Sequence, residues 1–446
     1  MDLLLTHAFF LNEDPKELRV MKPYPPLGIL YISSHLRAQG FDVELYDSTF
    51  GTREELYSIL QKGPPSILGI GANLLTRRSA VEILPIARAA GWKVVLGGPE
   101  PPTYPEEYLA CGADVVVQGE AEITMQELIP AMRAGRDLSS IPGIIYRDLS
   151  GTVVRTPQRP LIKDLDSQPW PDRERIAMDK YLSTWREHHG TGSVSMITAR
   201  GCPYSCTWCS HSTFGRTHRR RSVPGVVDEI AWILDRYSPE MLWIADDVFT
   251  IDHAWLARYA AEMKARGFKV PFECITRADR VNPAVAETLA ELGCFRVWIG
   301  SESGSQKILD AMKRGVTVKQ VQDAVRLCRA QGIQTGMFLM WGYEGETLED
   351  IEETVRHVKE CRPDVFLTTV SYPIKGTPYH KTVADRLVQL GEWQRSSDRE
   401  VRIDGRHSRR FYEYADQWLK AEVASNPAAI ESARAGLQAT LQEVEA

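Results

Sequence analysis

Twice along its length the chain runs through the same alternation: a short apolar stretch of strand length, then a stretch of helical length and period. The first series has five such runs: LLLTH from Leu3, FDVELY from Phe41, SILGIGA from Ser66, KVVLGG from Lys93 and ADVVVQG from Ala113. The second has six: SVSMITA from Ser193, MLWIADD from Met241, KVPFECIT from Lys269, CFRVWIGSES from Cys294, IQTGMFLMWG from Ile333 and DVFLTTVSYP from Asp364. Strands that are apolar on both faces must be covered on both, and the intervening helices are the elements available to cover them. The pattern therefore predicts an α/β fold with parallel sheets. Five units fit an open, doubly wound domain, and six fit a partial (β/α)6 barrel.

At 446 residues the chain also exceeds what one hydrophobic core serves. We expect a doubly wound domain over residues 1–138, a hairpin and ordered connector over 139–190, the partial barrel over 191–382 and a small helical cap over 383–446. The hairpin is read from IPGIIYRDLSGTVVRTPQRP, two alternating runs around DLSG. The connector, LDSQPWPDRERIAMDKYL, holds too many aromatic and aliphatic residues for a flexible linker.

Composition narrows the function classes. With 43% hydrophobic and 25% charged residues the chain is an ordinary globular one, and its formal net charge of −6 argues against a surface built to coat nucleic acid. The local run RTHRRRS (216–222) is expected as a solvated stretch, with attraction of an anionic group near the cysteines as the alternative. No apolar stretch approaches the roughly 18 to 20 residues of a membrane span, and MDLLLTHAFF lacks the features of a signal peptide. Eight cysteines in so long a chain make no dense disulfide framework. A reducing cytoplasm is the expected compartment, where clustered cysteines mean metal or catalysis. Cys111, Cys274, Cys294, Cys328 and Cys361 are scattered through apolar segments and are expected as small core residues.

In both architectures ligands sit at the carboxyl ends of the strands. In the first series those ends carry DSTFG (47–51), GANLLTRR (71–78), GGPEPP (97–102) and GEAE (119–122). Glycines there let the backbone approach a bulky ligand. In the second series they carry the cysteine loop, Asp246 and Asp247, Arg277 and Asp279, Ser301 and Glu302, WGYEGE and SYPIKGTP.

The cysteine loop, ARGCPYSCTWCSHSTFG, packs Cys202, Cys206 and Cys209 into eight residues, with no further cysteine until Cys274. With His211 they could form a Cys3His zinc site, which would make the chain a non-enzymatic, zinc-stabilised binding protein. Structural zinc, however, usually staples a small domain without a core, and this loop follows a buried strand of a large one. An iron–sulfur cubane is normally held by four thiolates. Three leave one iron open to a substrate or cosubstrate.

The C-x3-C-x2-C spacing, with Trp208 before the last cysteine and the loop after the first strand of a six-fold series, resembles the radical S-adenosylmethionine (SAM) superfamily. The resemblance implies a 4Fe-4S cluster on Cys202, Cys206 and Cys209 whose open iron chelates SAM. It also implies a one-electron donor of flavodoxin or ferredoxin type and reductive cleavage of SAM to a 5′-deoxyadenosyl radical. By the same likeness Trp208 flanks the adenine, and Asp246 in IADDVFT lies near the methionine end. Arg277, Ser301 and Glu302, in ITRADR and CFRVWIGSESG, contact the ribose or carboxylate, and Tyr372 lies in the sixth-strand segment VSYPIKGTPYH facing the adenine. A zwitterionic cosubstrate needs an acid for its ammonium and a donor for its carboxylate, so the residue types agree.

Upstream, PYPPLGILYISSHLRAQGFDVELYDSTF, GGPEPPTYPEEYLACGADVVVQGEAE and IIYRDLSG resemble the cobalamin-binding subgroup of that superfamily, whose first domain is Rossmann-like and five-stranded. The likeness runs from about residue 1 to about residue 385. It implies cobalamin contacts from Ser48, Thr49, Asn73, Leu74, Thr76, Gly97, Gly98, Gly119 and Glu120. Many cobalamin domains carry Asp-x-His-x-x-Gly, whose histidine binds cobalt. Here the segment is Asp47, Ser48, Thr49, Phe50, Gly51, so Thr49 replaces the histidine and the glycine comes one residue early. A hydroxyl is a poor cobalt ligand beside imidazole, so histidine ligation from this position is excluded and the lower face of cobalt is expected to meet NLLTRR.

The implied activity is C-methylation: one SAM methylates cob(I)alamin, a second yields the radical that takes hydrogen from an unactivated carbon of a small molecule, and methylcobalamin donates the methyl group. The same motifs fit an oxidoreductase resembling the anaerobic magnesium-protoporphyrin monomethyl ester cyclase; the short C-terminal region weighs toward the methyltransferase. His7 is expected at the surface, and neither nucleic acid nor membrane is expected as a partner.

Overall fold

The structure is a computed structural model that describes residues 1–443; the last three residues of the expected helical cap, 444–446, lie outside the described residues. Its first sheet holds β1 (Leu3–Thr6), β2 (Val43–Leu45), β3 (Ile67–Gly71), β4 (Lys93–Gly97), β5 (Val115–Val117), β6 (Ile144–Arg147) and β7 (Val153–Arg155), in the order β2-β1-β3-β4-β5-β6-β7. The five expected strands pair in parallel. Alternation splits their side chains between two cores: Leu4, Leu68, Val94 and Val116 pack on one face, Leu3, Leu5, Ile67, Val95 and Val115 on the other. The expected hairpin does not stand apart in the connector. Its first strand pairs antiparallel with β5, matching Ile145 to Val116 and Ile144 to Val117, so the sheet has seven strands rather than five. An edge as apolar as VVV is covered in this way.

The second sheet holds β8 (Ser193–Met196), β11 (Met241–Ile244), β12 (Phe272–Thr276), β13 (Cys294–Glu302), β14 (Gln334–Trp341) and β15 (Val365–Val370), in the order β15-β14-β13-β12-β11-β8. The pairs from β12 to β15 are parallel, and β8 and β15 are the two edges. Between β8 and β11 a short antiparallel pair, β9 (Ala199–Arg200) and β10 (Arg219–Arg220), brackets the cysteine loop. Local signals place the strands. Asn282, for example, caps the helix Pro283–Leu292 through Val285 N, Pro283 opens it, and Gly293 at φ 93° ends it and feeds β13.

The chain divides into two compact units, one of Met1–Pro203, His211–Leu242 and Glu392–Ser397, the other of Tyr204–Ser210, Trp243–Gly391 and the chain from Asp398. In the C-terminal region the helices Arg409–Val423 and Pro427–Thr440 are preceded by one unexpected feature, an antiparallel pair of Leu387–Val388 and Arg402–Ile403. Among the described residues no helix is long and apolar enough to cross a membrane.

Candidate functional site

At the carboxyl ends of the first sheet the loops are built for close approach. Gly98 sits at φ 106°, where a Cβ would lie 2.3 Å from the Ala72 carbonyl oxygen, so only glycine lets the β4 loop pass the β3 loop. A Cβ at Gly97 would have nothing nearer than 3.9 Å, and one at Gly119 nothing nearer than 3.6 Å. The loop after β3 braces itself: Asn73 Oδ1 accepts from Leu75 N and Thr76 N, and Thr76 Oγ1 accepts from Asn73 N. That leaves Leu74 half-buried and Leu75 exposed at its tip. Ser48, fully buried after β2, has a hydroxyl without a hydrogen-bond partner.

Thr49 is engaged. Its hydroxyl accepts from Tyr181 OH at 2.8 Å and lies 3.3 Å from His7 Nε2, while Asp47 bonds both His7 and Tyr181. Burial opposes ionisation of Asp47, but the bonds from His7 and Tyr181 win and hold its carboxyl below the usual range. His7 is thus not a surface residue: its side chain is 13% exposed and locked into this network. Sequence reading missed the network because Tyr181 lies 132 residues from Thr49.

The first turn of the cysteine loop is fixed by charge. Glu120, expected among the ligand contacts, accepts from Arg200, Arg219 and Ile162 N, and Arg200 also pairs with Glu122. The run RTHRRRS is correspondingly not a solvated stretch. Arg219 points to Glu120 and Arg221 to Glu229, which also holds Arg173; of the run's arginines only Arg216 is exposed. Glu229 is fully buried; burial works against its charge, yet Arg173 and Arg221 hold its carboxyl below the usual range.

In the second unit the loop's middle cysteine sits between two cations. Arg277, at the end of β12, and Arg314 each place Nη1 3.8 Å from Cys206 Sγ. Both guanidiniums are fixed elsewhere, Arg277 by Asp279 and the Arg314 carbonyl, Arg314 by the Gly300 carbonyl. The Arg277 guanidinium lies 3.6 Å from the centre of the Tyr204 ring. Thr207 anchors the loop on the Met312 carbonyl and Tyr343 OH, and Trp208 packs on a cluster containing Met312, Met340, Tyr343 and Tyr379.

β13 ends in a bulge at Ser301, after which Glu302 adopts φ 63°, an uncommon conformation for a non-glycine residue. Its carboxylate is 3.7 Å from Arg314 Nε. Burial pushes its pKa up, opposed by Arg314 and Arg277. Ser301 is committed to His357 Nε2 at 3.1 Å, Asp246 is buried just past β11, and Tyr372, half-buried after β15, lies 5.8 Å from the Arg399 guanidinium. Arg314 escaped the sequence reading although it lies in the family-like stretch ILDAMKRG; one arginine on a surface-like helix end carries no signal of its own.

Residues 196–358 match the radical SAM superfamily and residues 19–129 the B12 binding domain. An uncharacterized methyltransferase of Pyrococcus horikoshii is 32% identical over 380 residues, 83% of this chain and 81% of that protein. The chain belongs to the cobalamin-dependent radical SAM family. A second relative is the anaerobic magnesium-protoporphyrin IX monomethyl ester cyclase of Rubrivivax gelatinosus, 28% identical over 358 residues; the match covers 77% of this chain and 63% of that enzyme. The fold is shared with the radical SAM methyltransferase TsrM of Kitasatospora setae, solved with tryptophan and a SAM analogue. Its TM-score is 0.73 and its identity 22%, and the match covers 86% of this chain and 76% of that one.

The cofactors of this radical SAM protein are a 4Fe-4S cluster, SAM and cobalamin. The residues present fit them. A sulfur flanked by two guanidinium donors suits a thiolate ligand, and the orphan Ser48 hydroxyl and open Gly97 and Gly119 suit a large polar-rimmed macrocycle. Among the described residues no three His, Cys, Asp or Glu side chains are placed to hold a metal ion. Each thiolate of a cubane binds a different iron, so cluster ligands are spaced differently from the ligands of a single ion.

Proposed function

We propose that this protein is a radical SAM C-methyltransferase acting on a small molecule. In this reading residues 1–138, with the hairpin strands β6 and β7 on their sheet, hold cobalamin, the chain from the hairpin to residue 190 connects, 191–382 hold the cluster and SAM, and 383–443 form the cap. The observation that carries it is Cys206 Sγ between Arg277, at the end of β12, and Arg314, just past the helix Gln306–Ala311 that follows β13, in a chain that pairs a B12 binding domain with a radical SAM domain. Bound to the chain, the cofactors supply a radical able to take hydrogen from an unactivated carbon and a methyl group to replace it.

The chain supplies placement. Cys202, Cys206 and Cys209 are the cluster ligands, and Arg277 and Arg314 donate to the middle sulfur and balance its charge. Glu302, turned by the bulge, accepts from the ammonium of SAM, with Asp246 as its companion; Trp208 and Tyr372 flank the purine, and Ser301 contributes through the backbone of the bulge. Ser48, Asn73, Leu74, Thr76, Gly97, Gly98 and Gly119 border cobalamin. Thr49 offers cobalt no ligand, since its hydroxyl is taken by Tyr181. The electron donor is of flavodoxin or ferredoxin type, and the compartment is a reducing cytoplasm.

The curated cyclase relatives support a second reading, oxidation or ring closure without methyl transfer. The two separate in one experiment: the anaerobically reconstituted chain is incubated with SAM and reductant, and nucleoside products are quantified. C-methylation requires both S-adenosylhomocysteine and 5′-deoxyadenosine; the cyclase reading gives only the latter. A zinc-stabilised binding protein gives neither.

A further inference from the structure

We infer that Glu120 is the positioning residue through which the glycine-ended loops of the first domain hold the turn that leads into Cys202. The inference rests on the proposed cluster role of Cys202. Glu120 follows Gly119 in the loop after β5, and both of its oxygens are consumed. Oε1 accepts from Arg200 Nη1 at 2.7 Å and Arg219 Nη1 at 2.9 Å; Oε2 accepts from Arg219 Nη1 at 2.8 Å and Ile162 N at 2.8 Å. All three charged side chains are nearly inaccessible, at 4%, 5% and 12% exposure, so these contacts are little screened by solvent.

The two arginines are not neighbours by chance. Arg200 and Arg219 face each other across β9 and β10, the strands that enter and leave the cysteine loop, and Glu120 bridges them. Arg200 is further clamped by Glu122 at 2.7 Å and lies over the rings of Tyr31 and Phe214. Only Gly201 separates it from Cys202. One more contact runs the same way: Ser212 Oγ donates to the Pro99 carbonyl after β4. A ligand pressing on the Gly119 backbone therefore acts on Arg200 through one side chain. With no lone pair directed elsewhere, Glu120 serves as a strut and makes no contact to cobalamin.

The test is hydrogen exchange in the full chain, followed by reconstitution. Glu120→Gln keeps the volume, leaves Arg200 its bond to Glu122 and leaves Arg219 its bond to the Ile162 carbonyl, so the fold has what it needs to form. Without cofactors, amides of 199–202 and 217–221 should exchange at least about tenfold faster in the variant while β14 is unchanged. After reconstitution, retained iron should fall at least about threefold and the EPR signal of the reduced cluster should broaden. Retained hydroxocobalamin should stay within about twofold of wild type. Glu120→Asp should restore part of the loss, and Arg219→Gln should move exchange and iron in the same direction. Unchanged exchange and iron in Glu120→Gln overturn the inference. So does loss of hydroxocobalamin with iron and exchange intact, which makes Glu120 a cobalamin contact. If the wild type retains no hydroxocobalamin the proposed function fails, and exchange in the cofactor-free chain still decides the role of Glu120.

Discussion

Replacing Gly201 with alanine puts the geometry of the cysteine turn to a quantitative test. Gly201 sits at φ 86°, and a Cβ there would lie 2.5 Å from the Thr217 carbonyl oxygen, 3.1 Å from Thr217 Oγ1 and 3.3 Å from the Phe214 carbonyl oxygen. The left-handed conformation alone costs alanine about 1 to 2 kcal/mol. Relieving the contact requires backbone to move by most of an ångström, because two of the three atoms are carbonyl oxygens, and such overpacking costs a further 1 to 3 kcal/mol or so. The sum, roughly 2 to 5 kcal/mol, corresponds to a fall in melting temperature of about 4 to 20 °C for domains of this size. Far-UV circular dichroism of the cofactor-free chain reads the first quantity, and iron per chain after anaerobic reconstitution reads the second. Because the shift falls one residue before Cys202, iron should drop together with stability. A variant that melts within about 1 °C of wild type and binds full iron would refute this reading of the turn.

Three further outcomes follow from the same physics. Glu229→Gln deprives the buried Arg173 and Arg221 of the carboxylate they share, which should cost about 3 to 5 kcal/mol, visible as a lower melting temperature; a loss under about 1 kcal/mol would show the triad to be structurally idle. His357, buried against Ser301, has its pKa lowered to about 4 by burial, below its unfolded value. Its stabilising share is complete above about pH 6.5 and is lost as pH falls toward 4, some 3 kcal/mol in all. Thermal melts of His357→Gln should therefore fall less steeply between pH 6.5 and 4.5 than those of wild type, and parallel curves would contradict the assignment. Arg314→Gln removes one of the two donors to Cys206 Sγ and should lower the midpoint potential of the reconstituted cluster by on the order of tens of millivolts, measured by EPR-monitored titration; an unmoved potential would detach Arg314 from the cluster.

What could be read in the sequence was what is local or periodic. The eleven strands of the two series begin and end within a few residues of their apolar runs, because period and flanking glycines are local signals. The cysteines, Thr49 in place of histidine and the glycine-ended loops were likewise visible. The hairpin's place in the sheet was not, because its pattern fixes the pairing of β6 with β7 but not the exposed edge of β5 that β6 joins. Nor were the partners of buried charges. Glu120 meets Arg200 and Arg219 across 80 and 99 residues, and RTHRRRS looks solvated until its arginines are seen to turn inward to Glu120 and Glu229. The guanidinium pair around Cys206 is of the same kind, drawn from positions 71 and 108 residues away.

The most direct measurement is a product count on the anaerobically reconstituted full chain. Wild type and Cys206→Ala are prepared side by side, analysed for iron, sulfide and cobalamin, and incubated with methyl-labelled SAM and a one-electron reductant. Wild type is expected to hold one 4Fe-4S cluster and one cobalamin and to form both 5′-deoxyadenosine and S-adenosylhomocysteine, while Cys206→Ala forms no 5′-deoxyadenosine. A wild-type chain that carries its cluster yet yields neither product would contradict the proposed function.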